Sequence, residues 1–292
     1  MKIAFFSEAG YVGRVSRTNP NMRTDQAWVC ALNATHYPIN QLPSERFDIG
    51  IVIVPKEQNR EHLANANYPL IHNIKQLCAK TYVMQESTHW DWQDESFVSM
   101  AWYYNQLLEA DGILCHNDID LPYFEGITNK PAYILPTLMV DDLVRVSDTK
   151  EDSVFVAGNW HTTYRGFDAW LIAREFDLPM YGFKSGKFKS GEEGNGVNYL
   201  PWMGWIDFMH QLSKSKYGVQ TYQASAGQFP LNCAYLGIPC IGYDDINTQR
   251  DLFPDTSVVR GDVLSARKLA NRLKDDTAFY DAVSSQSKLL YS

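Results

Sequence analysis

Short apolar runs alternate with longer segments of helical periodicity through the first half of the chain. The apolar runs predict strands at 3–6, 49–54, 81–84, 113–115 and 133–135. Helical patterns lie between them at 25–33, 69–79 and 95–109. Because short buried strands that alternate with helices form parallel βαβ units, this half predicts a Rossmann-like domain.

A polar, charged segment at 141–152 predicts a linker, and the alternation restarts after it. Strands are predicted at 154–157, 180–183, 217–221, 240–243 and 257–259. Helices are predicted at 166–176, 205–214, 229–236, 265–275 and 277–290. We therefore expect an α/β protein with Rossmann-like domains at 1–145 and 150–275, whose parallel sheets face a central cleft. A C-terminal helix within 276–292 is expected to return to the first domain.

Composition narrows the class of protein. A net charge of −8 over 292 residues argues against a sequence-independent nucleic-acid binder, although it leaves room for a local basic patch. Five scattered cysteines without CxxC spacing predict reduced thiols in a cytoplasm. The N-terminal apolar run is too short for a signal peptide, and no run approaches the roughly 20 apolar residues of a membrane span. We expect a cytoplasmic monomer, in the host cytoplasm if the gene belongs to a phage.

The turn after the first strand of the second half ends in Arg165-Gly166 at a helix start. Backbone N–H groups at helix starts bind phosphate, and a guanidinium binds two phosphate oxygens at once. His161, Thr162 and Thr163 offer further donors on the same turn. The competing interpretation is a surface arginine beside a threonine-glycine cap.

A second turn of this kind begins at Gly227 and leads into a short helix that closes on Gly-x-Pro at 237–239. Two strand-to-helix turns at this separation are typical of a site for a sugar-nucleotide diphosphate. Met203 and Gly204 lie in a loop that we expect beside the nucleobase, where Trp205 is equally suited to stacking or to the core. The full set predicted to bind the donor is Gly10, Tyr11, His161, Thr162, Thr163, Arg165, Gly182, Met203, Gly204, Gly227, Gln228 and Asn232.

The first turn resembles that of retaining GT-B glycosyltransferases, in which Lys-Gly or Arg-Gly follows the first strand of the donor domain. In detail, the run from Thr162 to Phe167, Thr-Thr-Tyr-Arg-Gly-Phe, is similar to the Thr-Thr-Trp-Lys-Gly-Phe turn of phage DNA α-glucosyltransferase-type enzymes. The resemblance implies a GT-B fold and a metal-independent transfer with retention from a nucleoside-diphosphate sugar, expected to be a UDP-sugar. It implies no other cofactor and, as acceptor, the hydroxymethyl group of a modified pyrimidine in phage DNA.

The chain departs from the family pattern at both donor turns. Ala224 and Asn232 occupy the places of the two glutamates in the family's Glu-x7-Glu motif. The amide oxygen of Asn232 can still accept from ribose hydroxyls, and a small residue at 224 beside Gln228 suits a pentose or another non-glucose sugar. A further arginine of the family is replaced by Asn159 or Trp160.

A long polar loop follows the first strand and begins with a Gly-x-x-Gly turn at 10–13. Gly10 and Tyr11 are predicted to approach phosphate. Arg14, Arg17 and Arg23 form a local positive site for an anionic acceptor such as DNA, with a solvated loop as the equal alternative.

The loop after the third strand contains Glu86, His89, Trp90, Asp91 and Trp92. Together with Arg165, the predicted catalytic residues are Glu86, His89 and Asp91, with a carboxylate near the acceptor hydroxyl as general base. Trp90 and Trp92 are predicted to stack on the acceptor, and His116 lines the same region. The Asp118-Ile-Asp120 run resembles a metal-binding DxD motif but is interpreted as helix capping, so no metal is expected.

Two other functions stay open. One is a glycosyltransferase of cell-surface polysaccharide, lipid or protein, which the negative net charge favours. The other is a non-catalytic nucleotide-sugar binder, which the missing glutamates favour.

Overall fold

A computed structural model describes residues 1–54, 69–86, 88–89, 97–158, 166–183, 194–222 and 227–292. The chain divides into two compact units, Met1–Val140 and Asp141–Ser292. Each unit has one six-stranded sheet in which every neighbouring pair of strands is parallel.

The first unit is built on a doubly wound sheet. Its strands are β1 (Ile3–Ser7), β2 (Thr35–Pro38), β3 (Phe47–Val52), β4 (Cys78–Gln85), β5 (Gly112–Cys115) and β6 (Ala132–Ile134). Its helices are α1 (Thr24–Ala31), α2 (Leu70–Lys75), α3 (Phe97–Glu109) and α4 (Leu121–Thr128), and a 3-10 turn at Asp118–Asp120 leads into α4. The spatial order is β2-β1-β3-β4-β5-β6, so the winding reverses between β1 and β3. In such sheets the ligand crevice lies at the carboxyl ends of the strands at this switch point.

The second unit has the other common doubly wound order. Its strands are β7 (Glu151–Val156), β8 (Met180–Phe183), β9 (Val197–Leu200), β10 (Ser215–Gln220), β11 (Cys240–Tyr243) and β12 (Ser257–Val258). Its helices are α5 (Gly166–Ala173), α6 (Trp205–Lys214), α7 (Gln228–Leu236), α8 (Asn247–Leu252), α9 (Val263–Asp275) and α10 (Thr277–Tyr291), with 3-10 turns at Arg174–Phe176 and Pro254–Thr256. The order β12-β11-β10-β7-β8-β9 places the switch point between β7 and β10.

The C-terminal helix α10 packs within the second unit. Asp276 caps it by accepting from the Phe279 amide at 3.0 Å. The hydroxyl of Ser284 donates to the Gly237 carbonyl at 2.7 Å, and Tyr291 donates to Asp141 at 3.2 Å. These contacts hold α10 against the end of α7 and the start of the unit. Its return to the first domain stays a prediction.

Most predicted elements are confirmed, including the helix at the C-terminus. Two strands were missed, β2 and β9, because each has four residues and mixes polar with apolar side chains. β2 and β9 are edge strands of their sheets, where a continuous apolar run is not required. The predicted linker was too long, since Glu151 already pairs with Ser215 as the first residue of β7. All five cysteines are free thiols and four of them are buried, as expected.

Candidate active site

Both predicted donor turns follow the strands that flank the switch point of the second sheet. β7 leads through Gly158, whose φ is +92°, toward α5, and β10 leads through Gly227 into α7. Because β7 and β10 are neighbours, the segments that follow them leave the same edge of the sheet side by side. The intervening residues, among them Asn159, Trp160, His161, Thr162, Thr163, Arg165 and Ala224, lie outside the described residues.

The structure explains why residue 227 is glycine. Its φ is +77°, which side chains rarely adopt. A Cβ there would overlap the hydroxyl of Thr248 and come within 3.0 Å of Ile246. That hydroxyl donates to the Gly227 carbonyl at 2.6 Å. The glycine therefore allows α7 to begin directly against the start of α8.

Gln228 and Asn232 form a buried pair on the first turn of α7. The side-chain amide of Gln228 donates to the Oδ1 of Asn232 at 2.9 Å. Sequence reasoning considered the two residues separately, although their i,i+4 spacing on a helix signals a contact. One lone pair of the Asn232 oxygen thus accepts a hydrogen bond within the helix. A ribose hydroxyl, if one binds here, would have to use the other lone pair of this oxygen.

The loop between β9 and α6, together with the first residue of α6, carries one aromatic side chain in the core and one at the surface. Trp205 is only 4% exposed, so of its two predicted roles the structure shows the one in the core. Trp202 is 76% exposed and was not predicted as a site residue. Met203 is half-buried, and Gly204 is the exposed N-cap of α6. Of the two tryptophans, Trp202 is the one accessible to a ligand.

Gly182, the third residue of β8, is small because of packing within its own sheet. A Cβ there would lie 3.2 Å from both the Val156 carbonyl oxygen and the Val197 side chain. At the end of β11, Tyr243 donates a 2.8 Å hydrogen bond to Asp168 in the first turn of α5. This bond ties the start of α5 to the sheet and was not predicted, since the two residues are far apart in sequence.

In the first unit, the loop after β1 is fixed on β2 by His36. The carbonyl oxygen of Tyr11 accepts from Nδ1 of His36 at 2.8 Å, and Ser7 donates to its Nε2 at 2.8 Å. The rings of Tyr11 and His36 stack with centroids 3.9 Å apart. Burial lowers the pKa of His36, which agrees with a neutral imidazole in this arrangement.

Tyr11 and Gly10, two predicted donor-binding residues, differ in exposure. The Tyr11 hydroxyl is buried without a hydrogen-bond partner, and burial followed by the charge of Asp25 raises its pKa. Gly10 is exposed, and a Cβ there would meet nothing within 4 Å. Close approach to Gly10 is therefore open to a ligand and not needed by the fold.

The three arginines of this loop are not equivalent. Arg14 and Arg17 are exposed, whereas Arg23 is half-buried and donates to Asn21 at 3.1 Å. Burial lowers the pKa of Arg23, while the charges of Asp25 and Glu86 act in the opposite direction. Two carboxylates oppose the charge of Arg23, and Arg14 and Arg17 are the two arginines of the loop that are exposed to solvent.

A histidine and an aspartate meet after the neighbouring strands β4 and β5. The Nδ1 of His89 lies 2.7 Å from Oδ1 of Asp120, and the His89 ring stacks on Tyr123 with centroids 4.3 Å apart. Asp120 occupies the predicted N-cap position of α4, but its carboxylate makes no capping hydrogen bond and accepts from His89 instead. Trp90, Asp91 and Trp92 lie outside the described residues.

His116, directly after β5, is buried and neutral. Its Nδ1 donates to the Leu135 carbonyl at 2.6 Å, and its Nε2 has no hydrogen-bond partner. Burial lowers the pKa of His116 to about 4. The ring therefore offers a hydrogen-bond acceptor at physiological pH and no positive charge for a phosphate.

Neither a metal cluster nor a membrane helix is found in the part of the chain that the structure describes. Within those residues, no group of three or more His, Cys, Asp or Glu side chains is arranged to hold a metal ion. Over the same ranges, no helix has the length and apolarity needed to cross a membrane.

Comparison with known proteins identifies the fold. No family model and no curated protein matches the sequence. Sucrose-phosphate synthase from Thermosynechococcus elongatus superimposes with a TM-score of 0.64 at 10% identity, over 100% of this chain and 94% of that one. Anabaena Alr3699/HepE in complex with UDP and glucose gives 0.62 at 11% identity, over 100% and 95%. TarM gives 0.59 at 10% identity, over 83% and 51%, so this chain spans about half the length of TarM.

The chain has the GT-B fold. The predicted fold class, α/β with two parallel sheets, is thereby confirmed. At identities of 10–11%, the similarity concerns the fold, and the more specific resemblance to phage DNA α-glucosyltransferases stays a prediction.

Proposed function

We propose that this protein is a glycosyltransferase that moves a sugar from a nucleoside-diphosphate sugar to a hydroxyl group. The observation that supports the proposal is that β7 and β10, the strands that precede the two predicted donor turns, flank the switch point of the second sheet. At such a point, backbone N–H groups of two helix starts converge on one ligand. The donor diphosphate supplies the negative charge that these groups attract.

The expected donor is a UDP-sugar and the expected outcome is retention. The Anabaena protein of the same fold has been solved with UDP and glucose, which supports this nucleotide. In the proposed mechanism, Arg165 and the helix-start amides stabilise the charge that develops on the leaving diphosphate. Alignment of donor and acceptor supplies the rest of the rate enhancement. Nuclear magnetic resonance of the product's anomeric proton would distinguish retention from inversion.

The proposed acceptor is the hydroxymethyl group of a modified pyrimidine in DNA. The Thr-Thr-Tyr-Arg-Gly-Phe turn and the exposed Arg14 and Arg17 support it. A duplex containing hydroxymethylcytosine, incubated with a panel of UDP-sugars, should gain the mass of one sugar per modified base. An unmodified duplex of the same sequence is the control. Transfer to glycans, lipids or proteins but not to this duplex would refute the DNA acceptor and keep the transferase.

Replacement of Arg165 tests the donor site. Arg165→Ala should lower kcat/KM for a UDP-sugar by about 10²-fold or more, since it removes a charge that stabilises the transition state. Arg174→Ala is the matched control, because this arginine follows the far end of the same helix and stacks on Trp170, 4.8 Å from the ring centroid. Equal activity of the two variants would refute the proposed role of Arg165. UDP-sugar binding without turnover, with any acceptor, would instead indicate a non-catalytic binder.

A further inference from the structure

A small cavity lies between α6 and the second sheet. Its volume is about 120 Å³, and it opens to solvent. The polar part of its wall comes from the amino ends of β7 and β10 and from the last turn of α6, whereas the predicted donor turns follow the carboxyl ends of these two strands. At a rise of about 3.3 Å per residue, the strand β10 separates the two edges by roughly 16 Å. The polar wall of the cavity is therefore separate from the predicted donor site.

The cavity lies beside an irregularity in the pairing of β7 with β10. Glu151 pairs with Ser215 and Val154 pairs with Tyr217, so β7 has one residue more than β10 over this stretch. An extra residue bends a strand and interrupts its pairing. Ser153, within the stretch, and Ser215 both line the cavity, although neither residue is more than 3% exposed. Two serine side chains thus form its inner polar wall.

The apolar wall of the cavity belongs to the sheet. It consists of Phe155, Tyr181 and Leu200, which lie on β7, β8 and β9. The ring of Phe155 is fixed in an aromatic cluster, in which the ring centroids of Phe183 and Phe208 each lie 5.6 Å from its own. Because this wall is part of the folded core, it is present before any ligand binds. Preformed apolar surface beside a few polar groups is typical of small-molecule sites.

The outer polar wall carries both signs of charge. It contains Glu151, Gln211 and Lys214, and within the described part of the chain the side chains of Gln211 and Lys214 have no hydrogen-bond or ion-pair partner. The neighbouring Lys216 and Asp152 compensate each other in an ion pair of 2.8 Å. A charged ligand of either sign would meet a like charge at this wall. A hydroxyl group both donates and accepts hydrogen bonds, so it can pair with an ammonium group, a carboxylate, an amide or a serine.

The volume limits the size of the ligand. A closed cavity of about 150 Å³ holds benzene, and a water molecule in the liquid occupies about 30 Å³, so this open cavity suits one six-membered ring and not a nucleotide. We propose that it binds one ring of a neutral sugar, whose C–H groups pack against Phe155 and Tyr181 and whose hydroxyl groups bind Ser215, Gln211 and Lys214. This site is additional to the proposed donor and acceptor sites and does not depend on the transferase function.

The test is a titration of the full chain with the methyl α-glycosides of glucose, galactose and mannose, followed by saturation-transfer nuclear magnetic resonance. At least one glycoside should bind saturably. Gln211→Ala should weaken its binding by about two- to tenfold, the usual effect of one lost hydrogen bond. Ser215→Val should weaken it at least about tenfold, because the change removes a hydroxyl and adds bulk to the inner wall. Gln286→Ala is the matched control, since this half-buried glutamine of α10 lies outside the cavity.

Two competitors identify the site and the class of ligand. Saturating UDP should leave the affinity for the glycoside unchanged, and the 1-phosphate of the same sugar should bind no more tightly than the glycoside. Displacement by UDP, clear preference for the phosphate, or equal affinities of Gln211→Ala, Ser215→Val and Gln286→Ala would overturn the inference, as would the absence of saturable binding by all three glycosides. None of these results bears on the proposed transferase. A protein that binds the glycoside in this cavity but transfers sugar to no acceptor would instead overturn the proposed function and leave this site intact.

Discussion

Gly227→Ala should destabilise the second unit, and the structure indicates by how much. An alanine at φ of +77° costs roughly 1–2 kcal/mol relative to an ordinary conformation. The added methyl also overlaps the hydroxyl of Thr248 and crowds Ile246. Overpacking of this kind costs about 1–3 kcal/mol. The two effects together predict a loss of roughly 2–5 kcal/mol in the free energy of unfolding.

Gly261→Ala separates these two contributions. Gly261 has a similar φ, +87°, but a Cβ there meets nothing within 4 Å. Both substitutions remove the same freedom from the unfolded chain, so that effect cancels in their difference. The difference between the two variants should therefore be about 1–3 kcal/mol, the cost of the overlap alone. Urea unfolding of the full chain, followed by circular dichroism, measures it.

A double variant tests the cause of the overlap. Thr248→Ala removes the hydroxyl that the new methyl meets, together with its 2.6 Å hydrogen bond to the Gly227 carbonyl. The combined loss in Gly227→Ala/Thr248→Ala should be smaller than the sum of the two single losses. If Gly227→Ala is as stable as Gly261→Ala, or if the two single losses simply add, then contact with Thr248 does not explain the glycine.

Two further perturbations test the buried groups. The free energy of unfolding should fall by about 3 kcal/mol as pH drops from about 6.5 to about 4, because His116 binds a proton in the unfolded chain but not when it is buried. His116→Gln should remove this decline, whereas replacement of the exposed His72 by Gln should leave it. Equal pH profiles of the two variants would refute the assignment of the decline to His116. Trp205→Ala should cost about 3–5 kcal/mol and exposed Trp202→Ala less than about 0.5, as measured by urea unfolding. Equal losses in the two tryptophan variants would contradict their placement.

The order of elements could be predicted from the sequence because the buried strands carry their own signal. Runs such as Ile3–Ser7 and Cys240–Tyr243 are buried at every residue, so hydrophobicity alone marks them. The strand order could not be predicted in this way. It depends on which strands pair, and the adjacency of β7 with β10, the strands that precede the two predicted donor turns, is a property of the assembled sheet.

The contacts of polar residues were the least predictable part of the site. Asp120 lies where a capping residue is expected, and local sequence favours that interpretation. Its actual partner, His89, is 31 residues away and reaches it because β4 and β5 are neighbours. For the same reason, the bond from Tyr243 to Asp168 has no local signature. Arg23 was expected to face an anionic acceptor. The proximity of Asp25 is visible in the sequence, whereas the influence of Glu86 on Arg23 follows only from folding.

The carboxyl edge of the first sheet is better suited to hydroxyl groups than to phosphates. His36 and His116 are held neutral by burial, and each has its Nδ1 bound to a backbone carbonyl. The positive charge of Arg23 is opposed by carboxylates. Phosphate binding needs accessible cations or converging amides, whereas a hydroxyl group needs a neutral hydrogen-bond acceptor. If the acceptor is DNA, this edge would therefore handle the extruded hydroxymethyl base, and contacts with the phosphate backbone would fall to exposed Arg14 and Arg17. Substitution of those two arginines should then reduce the salt dependence of DNA binding and leave transfer to a free hydroxymethyl nucleoside unchanged.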